Sequence, residues 1–239
     1  MKATKVYAWT LFLALWGVLA LLIGNDLFLP GPITTLAALL RILSQKESYV
    51  FLAMSTLRVL LGLGIALVTG ILLGFITGLS ERLRVLLMPF SSLLKSVPIV
   101  SFIMLALLWL GSGIVPVFIS FLMSMPLFWT ATQESVLRAD AKLLEMMQVF
   151  QLSFMKKLKV FYFPWSKGYI SMALQQAIGL AWKAGVAAEV LSFSPLSIGR
   201  KIYESKSFLD TSDLFAWTFL LLVLSFLMER MVAHETARD

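Results

Sequence analysis

The chain has 239 residues, of which 59% are hydrophobic and 14% charged, with a net charge of +7 and no cysteine. A soluble domain runs near half apolar and a quarter charged, so this composition excludes a water-facing shell and describes a polytopic membrane protein. Missing cysteine excludes disulfides, thiolate metal sites and cysteine nucleophiles, and the single histidine, His234, lies in the polar tail, which argues against metal-dependent and histidine-based catalysis.

Six apolar blocks of roughly 18 residues or more, the length that crosses about 30 Å of hydrocarbon, are predicted as spans. They are Val6–Ile23, Met54–Leu79, Val85–Leu110, Ile114–Val136, Pro164–Leu191 and Leu214–Met231. An all-α transmembrane bundle is expected, with residues 1–239 forming a single domain in the lipid bilayer. The first block follows Lys2 and Lys5 but is long for a signal-peptide core, and Gly24-Asn25-Asp26 offers no cleavage site, so it is read as a retained span. With both termini in the cytoplasm, twice as many basic residues fall inside as outside, where Arg41, Lys46, Arg58, Arg200, Lys201 and Lys206 are placed. The positive-inside rule selects this orientation, and it accounts for the basic balance without any nucleic acid partner.

In the second span Gly70, Gly74 and Gly78 recur every four residues, leaving a bare face that another helix can approach closely. The third contains Pro89 and Pro98, so Lys95-Ser96-Val97-Pro98 is expected to leave the helical hydrogen-bond ladder at membrane depth. Backbone freed there needs protein or a water-filled cavity to receive it, which makes Lys95, Ser96 and Pro98 candidates for the border of a pathway. The alternative is a simple kink whose lysine snorkels to the interface.

Between the fourth and fifth spans, Leu143, Leu144, Met147 and Phe150 recur at helical spacing, with Lys142, Glu145 and Gln148 on another side. This predicts a short cytoplasmic amphipathic helix. Ser153 is placed to cap a second helix, Phe154 to Tyr162, and Pro164 suits the first turn of the next span. Such a loop either lies in the lipid headgroups or is a docking element held rigidly for a soluble partner.

The segment resembles the cytoplasmic coupling loop of ABC-importer permeases, the binding-protein-dependent inner-membrane components. Their pattern is Glu-Ala-Ala, three residues, Gly, then about a dozen residues to an apolar residue and Pro. Glu145, Gln151, Phe163 and Pro164 fall on those positions. Further motifs follow in order: Thr56-Leu57-Arg58-Val59, Lys95-Ser96-Val97-Pro98-Ile99, Trp109-Leu110-Gly111-Ser112-Gly113, Gly179-Leu180-Ala181-Trp182, Ala187-Ala188-Glu189 and Ser197-Ile198-Gly199. Together they resemble the nitrate, sulfonate and taurine branch. Met146 and Met147 stand where the family has alanines, and Gln151 where it has the turn glycine. If that turn is left-handed, Gln costs roughly 1–2 kcal/mol more than glycine.

The resemblance implies a MetI-like permease fold in a bacterial plasma membrane, with residues 138–163 as the coupling loop. It also implies a second permease copy, two cytoplasmic ATP-binding subunits and an external solute-binding protein. Asp140, Leu144, Glu145, Met146, Met147, Phe150, Gln151 and Ser153 would form the ATPase-docking surface. The ATPase groove that receives Met146 and Met147 would be roomy. No Gly-x4-Gly-Lys-Ser/Thr loop occurs, so ATP hydrolysis would belong to a separate subunit and this chain would be non-catalytic, with no cofactor of its own. An intramembrane enzyme lacks its histidines or paired aspartates; an ion-coupled secondary transporter is the alternative, but it leaves the loop pattern unexplained.

Charges inside spans are costly and therefore functional candidates. Lys183 and Glu189 lie six residues apart in the fifth span, about 240° around a helix, so they do not share one face. Lys183 either lines the pathway and attracts an anion or satisfies a carbonyl or carboxylate on another span. Glu189, near the external end, is a second pathway candidate, or it only pairs with Arg200 or Lys201.

Overall fold

The computed structural model describes residues 2–236, and side chains at all of these except residues 2–6, 8, 9, 95 and 233–236. Among the described residues every element is helical. Eleven α-helices occur in the order α1 Lys2–Ile23, α2 Pro32–Ser44, α3 Lys46–Leu79, α4 Glu81–Ser96, α5 Ile99–Trp109, α6 Val115–Leu137, α7 Ala141–Val149, α8 Phe154–Lys157, α9 Phe163–Ser192, α10 Ile198–Ser207 and α11 Thr211–Thr236, with a π-helical stretch, Leu158–Tyr162, between α8 and α9. Three of them, α3, α6 and α11, are long and apolar enough to cross a membrane.

The core is the packing of α3, α6 and α9, flanked by α2 and α11 on one side and by the α4–α5 pair on another. Its centre is a cluster that includes Val59, Phe128, Trp129, Ala177, Ala181 and Trp182. The glycine stripe on α3 does what its spacing predicts. A Cβ at Gly70 would stand 2.6 Å from that of Phe128, and one at Gly78 2.7 Å from that of Val136, so α6 lies directly on the bare face. In an apolar core, polar side chains must find partners within the protein, and here they join the helices. Trp129 Nε1 donates to Thr77 Oγ1 at 2.9 Å, Ser120 Oγ to the Ala181 carbonyl at 3.1 Å, and Trp182 Nε1 to the Leu221 carbonyl at 3.1 Å.

Several elements differ from expectation. α2 was not foreseen: Pro32 opens it and Thr35, Ala38 and Ile42 form its buried side, a stripe too short to span. α3 begins eight residues before the predicted Met54, so Arg58, counted on the external side at the start of the predicted span, lies more than three turns into the helix and is buried. The predicted span Val85–Leu110 is two helices, meeting at 98° across Val97-Pro98. Lys95 and Ser96 stay in α4, so the ladder breaks at Val97-Pro98 alone; Pro98 lacks the N–H and starts α5 as its N-cap. The predicted span Pro164–Leu191 is α9, long enough at 30 residues, but Gln175, Gln176, Lys183 and Glu189 make it less apolar than α3, α6 and α11. It packs against both α3 and α6, where Glu189 finds its partners.

Candidate functional site

Two regions hold the residues singled out by the sequence. The first is the loop between α6 and α9. Asp140 is the N-cap of α7, its side chain accepting from the Lys142 N–H at 2.8 Å. The other end closes as a Schellman motif. Gln151 adopts φ +49°, its N–H donates to the Gln148 carbonyl at 2.9 Å, and the Leu152 N–H reaches the Met147 carbonyl at 3.2 Å. The position at which the family pattern has its turn glycine is therefore left-handed in this chain and is occupied by a glutamine.

The apolar stripe is narrower than its spacing suggests. Leu144 is half-buried against Phe75, Val136 and Tyr162, and Met147 is only 4% exposed, while Leu143 and Phe150 turn outward. Met147 is thus part of what fixes the loop to the bundle, not of its outer face. Glu145, Met146, Gln148, Val149, Phe150, Gln151 and Ser153 are exposed. Ser153 occupies the N-cap position of α8, and its carbonyl accepts from the Lys157 N–H at 3.0 Å, but its side chain makes no capping bond. The separate helix Phe154 to Tyr162 is not seen; α8 runs through the π stretch into α9. The cause lies in Pro164, whose ring would press on the carbonyl four residues back in an α-helix. The wider register accommodates it, with the Phe163 N–H reaching the Leu158 carbonyl.

The second region is the junction of α9 and α10. Glu189 is completely buried. Its Oε2 accepts from Ser55 Oγ at 2.8 Å and from the Gly199 N–H at 3.2 Å, and its Oε1 lies 3.3 Å from Arg58 Nη1. Arg58, itself buried, also donates to the carbonyls of Pro195 at 2.7 Å and Leu196 at 3.4 Å. Ser55 Oγ in turn accepts from the Ile198 N–H at 2.9 Å. Gly199 has to be a glycine, because a Cβ there would stand 2.7 Å from the Val190 nitrogen. Ser192 and Ser194 both donate to the Ser112 carbonyl, at 3.3 and 2.5 Å, which ties in the turn between α5 and α6. Four of the sequence motifs, those containing Arg58, Ser112, Glu189 and Ser197-Ile198-Gly199, therefore meet in one hydrogen-bonded hub.

This hub corrects two expectations. Glu189 pairs with Arg58, not with Arg200 or Lys201, whose partner is Glu204. Being fully enclosed, it lines no open path in this conformation. The opposite charges of Arg58 and Glu189, each embedded in an apolar run, were the sequence signal for the pair; the topology count had set Arg58 outside and hidden it. Ser55 and Ser192 carried no such signal.

The remaining pathway candidates are not gathered with Glu189. Lys183 is exposed on α9, and no carboxylate or carbonyl partner for it occurs among the described residues. Ser96 and Pro98 are exposed at the α4–α5 break, Ser96 Oγ donating to the Leu93 carbonyl at 3.2 Å. The Lys95 side chain lies outside the described residues.

Comparison with known proteins bears on both regions. Residues 66–238 match the model of the binding-protein-dependent transport system inner membrane component. The chain is 26% identical, over 90% of its length and 80% of the relative's, to the taurine transport system permease protein TauC of Escherichia coli. It is 28% identical to the nitrate import permease protein NrtB of Synechococcus elongatus, over 76% of this chain and 68% of that one. To the bicarbonate transport system permease protein CmpB of the same species the identity is 27%, over 75% and 65%. With most of its length inside the matched region, including the α6–α9 loop and the α9–α10 side of the hub around Glu189, the chain belongs to the family of binding-protein-dependent transport system inner membrane components.

Proposed function

We propose that this chain forms the translocation pathway of an ATP-driven importer for a small anion. The named solutes of its relatives, taurine, nitrate and bicarbonate, share an anionic oxygen-bearing group, and an external solute-binding protein would deliver such a solute. The chain crosses the bacterial plasma membrane six times with both termini in the cytoplasm: through α1, α3, the α4–α5 pair, α6, α9 and α11. The whole length is one permease domain, with α2 and α10 on the external side.

The observation that carries this reading is the construction of α7. A helix of nine residues is not stable alone in water. Here it is capped at both ends and pinned by Leu144 and Met147, so its outer face, with Glu145, Met146 and Phe150, is held for a partner. Two ATP-binding subunits grip this face in a pair of permeases, and their closure on ATP moves α7 together with α6 and α9, between which it is strung. Hydrolysis resets the bundle, a bistable device biased by ligand at both ends. Lys183, exposed on α9, is a cation that lipid would penalise, and a pathway between two copies gives it water and an anion. Lys95, Ser96 and Pro98 border the same path.

Reconstitution into vesicles tests the proposal: uptake is expected only with ATP and the partner ATPase, and uptake driven by an ion gradient alone would make the chain a secondary carrier. Glu145→Arg is expected to abolish most of the ATPase stimulation by loaded binding protein and to reduce copurification of the ATPase, with expression retained. If both readouts stay at wild-type levels, α7 is a headgroup-lying amphipath and not a docking element.

A further inference from the structure

One carboxylate within a span belongs neither to the hub nor to the loop. Glu229 is half-buried on α11, some 18 residues after Thr211, or about 27 Å along the helix. Its carboxylate lies directly on the backbone of α9: a Cβ at Gly179 would stand 2.5 Å from Glu229 Oε1 and 3.3 Å from the carboxyl carbon. Glycine at 179 is what admits an acidic side chain to the seam between the two helices. The same Oε1 accepts from Ser225 Oγ at 3.2 Å, and no cation partners the carboxylate among the described residues.

The same seam sets Lys183 beside this carboxylate. Contacts at Trp182–Leu221 and at Gly179–Glu229 progress in opposite directions along the two helices, so α9 and α11 run antiparallel. One turn along α9 from Gly179 is Lys183, and one turn in the same sense along α11 from Glu229 is Ser225. Lys183 stands about 40° round α9 from Gly179, and a helical side chain leans toward the N-terminus, over the preceding turn. That turn is the one where Gly179 carries no side chain and the Glu229 carboxylate fills the space. Cβ positions four residues apart are about 5–6 Å from each other, a gap that the four-carbon stem of a lysine spans. Arg230, nearer in sequence, stands about 100° round α11 from Glu229 and is exposed.

Lys183 therefore has two rotamer positions with different partners. Turned outward, as here, its ammonium is exposed and has no partner among the described residues. Folded back over Gly179, it meets a carboxylate that no other cation holds. We infer that Glu229 is the resident counter-ion of Lys183, taking the ammonium when the path holds no solute and yielding it to the solute's anionic group. This rests on the proposed reading of Lys183 as a residue of the pathway. Neither charge is tolerated alone within a span, so the two pair in the absence of an anion, and an arriving anion competes for the ammonium. A neutral solute offers Lys183 nothing in exchange for its carboxylate, which makes Glu229 a determinant of anion specificity.

The test uses the full chain in lipid vesicles and a membrane-permeant carbodiimide, which joins a carboxylate to an amine in direct contact with it. Digestion and mass spectrometry report the fraction of chains in which the Lys183 and Glu229 peptides are linked. Wild type is expected to form the link in gluconate, and nitrate or methanesulfonate at the same ionic strength to cut its yield about fivefold or more. Gly179→Ala sets a Cβ where the carboxylate lies and keeps both charges; it is expected to reduce the link in gluconate by a similar factor. No link in wild type, or an unaltered yield in Gly179→Ala, overturns the pair. A link equally abundant in all three salts would make the pair purely structural and overturn the exchange. Linking needs neither ATP nor transport, so the importer reading fails separately: anion-sensitive linkage in a chain whose uptake runs on an ion gradient alone would defeat that reading and leave Glu229 as the counter-ion of Lys183.

Discussion

The junction around Glu189 and the loop around Glu145 each present a carboxylate that the sequence singles out, and the fold treats them in opposite ways. Glu189 is enclosed and bonded to Ser55, Arg58 and Gly199. Glu145 is exposed on a helix only nine residues long. The first arrangement uses polar groups to join α3, α9, α10 and the α5–α6 turn into one body. The second keeps its polar and apolar groups on the outside and uses the chain's own packing only to hold them still. A buried charge that has all its partners specifies a position, whereas an exposed charge on a fixed helix is available to another molecule.

The strongest way to break this contrast is to remove the charge inside the hub. Glu189→Leu leaves Arg58 buried without its carboxylate, a loss of about 3–5 kcal/mol, and should prevent recovery of folded protein or lower its melting temperature sharply. Joining it with Arg58→Met should restore much of the loss, because an apolar pair of similar size avoids the unpaired charge. Thermal melts followed by tryptophan emission suit the measurement, since Trp129 and Trp182 are buried in the core. A single variant as stable as wild type would show that the hub does not hold the junction.

A smaller effect sharpens the other side of the comparison. Gln151→Gly keeps the φ of +49° without the clash of a Cβ, and should stabilise the loop by about 1 kcal/mol after the entropy lost by glycine is set against it. Slower hydrogen exchange of the Gln151 and Leu152 amides, with no change in the hub, is the expected reading. Faster exchange would mean that the glutamine side chain supports the turn.

The smallest effect lies just beyond the hub. Burial acts to raise the Glu204 carboxyl, but its hydrogen bonds to Lys201 and Arg200 outweigh this and hold it below the usual range. A depressed carboxyl contributes stability that is complete above its ordinary value near 4.3 and is lost as pH falls through the folded value. The pair is partly exposed, so less than about 1 kcal/mol is at stake. Melting of wild type and Glu204→Gln, compared at pH 6 and near pH 3, should differ most at the higher pH; parallel curves would assign the group no role.

The helical class, the core helices and the glycine contact were legible because each is a periodic pattern: runs of apolar residues for α3, α6 and α11, and a spacing of four for Gly70, Gly74 and Gly78. The loop between α6 and α9 was legible as a motif, and the φ of +49° at Gln151 meets the condition under which that motif makes its glutamine costly. What periodicity could not give was inwardness. Leu143, Leu144, Met147 and Phe150 read as one stripe, yet only Leu144 and Met147 face the bundle, because the neighbours Phe75, Val136 and Tyr162 come from three other segments. Arg58 is a related case: the predicted span Met54–Leu79 contains it and the orientation count sets it on the external side, and only the meeting of α3 with the α9–α10 junction makes it a core residue. α2 was missed because thirteen residues with one buried side carry too weak a hydropathy signal to be taken for a span.

The π stretch at Leu158–Tyr162 also sets an angular phase. Each residue of an α-helix turns the chain by about 100°, so the wider register offsets the heading of α8, and of the loop before it, relative to α9. A version of this protein one residue shorter between Leu158 and Tyr162 would wind straight through. It would set the Pro164 ring against the carbonyl then four residues before it and rotate Phe154 and everything the elbow of α8 and the π stretch carries by roughly a quarter turn around the α9 axis. The direction in which Glu145 and Phe150 point would then be decided by the length of a segment that touches neither of them.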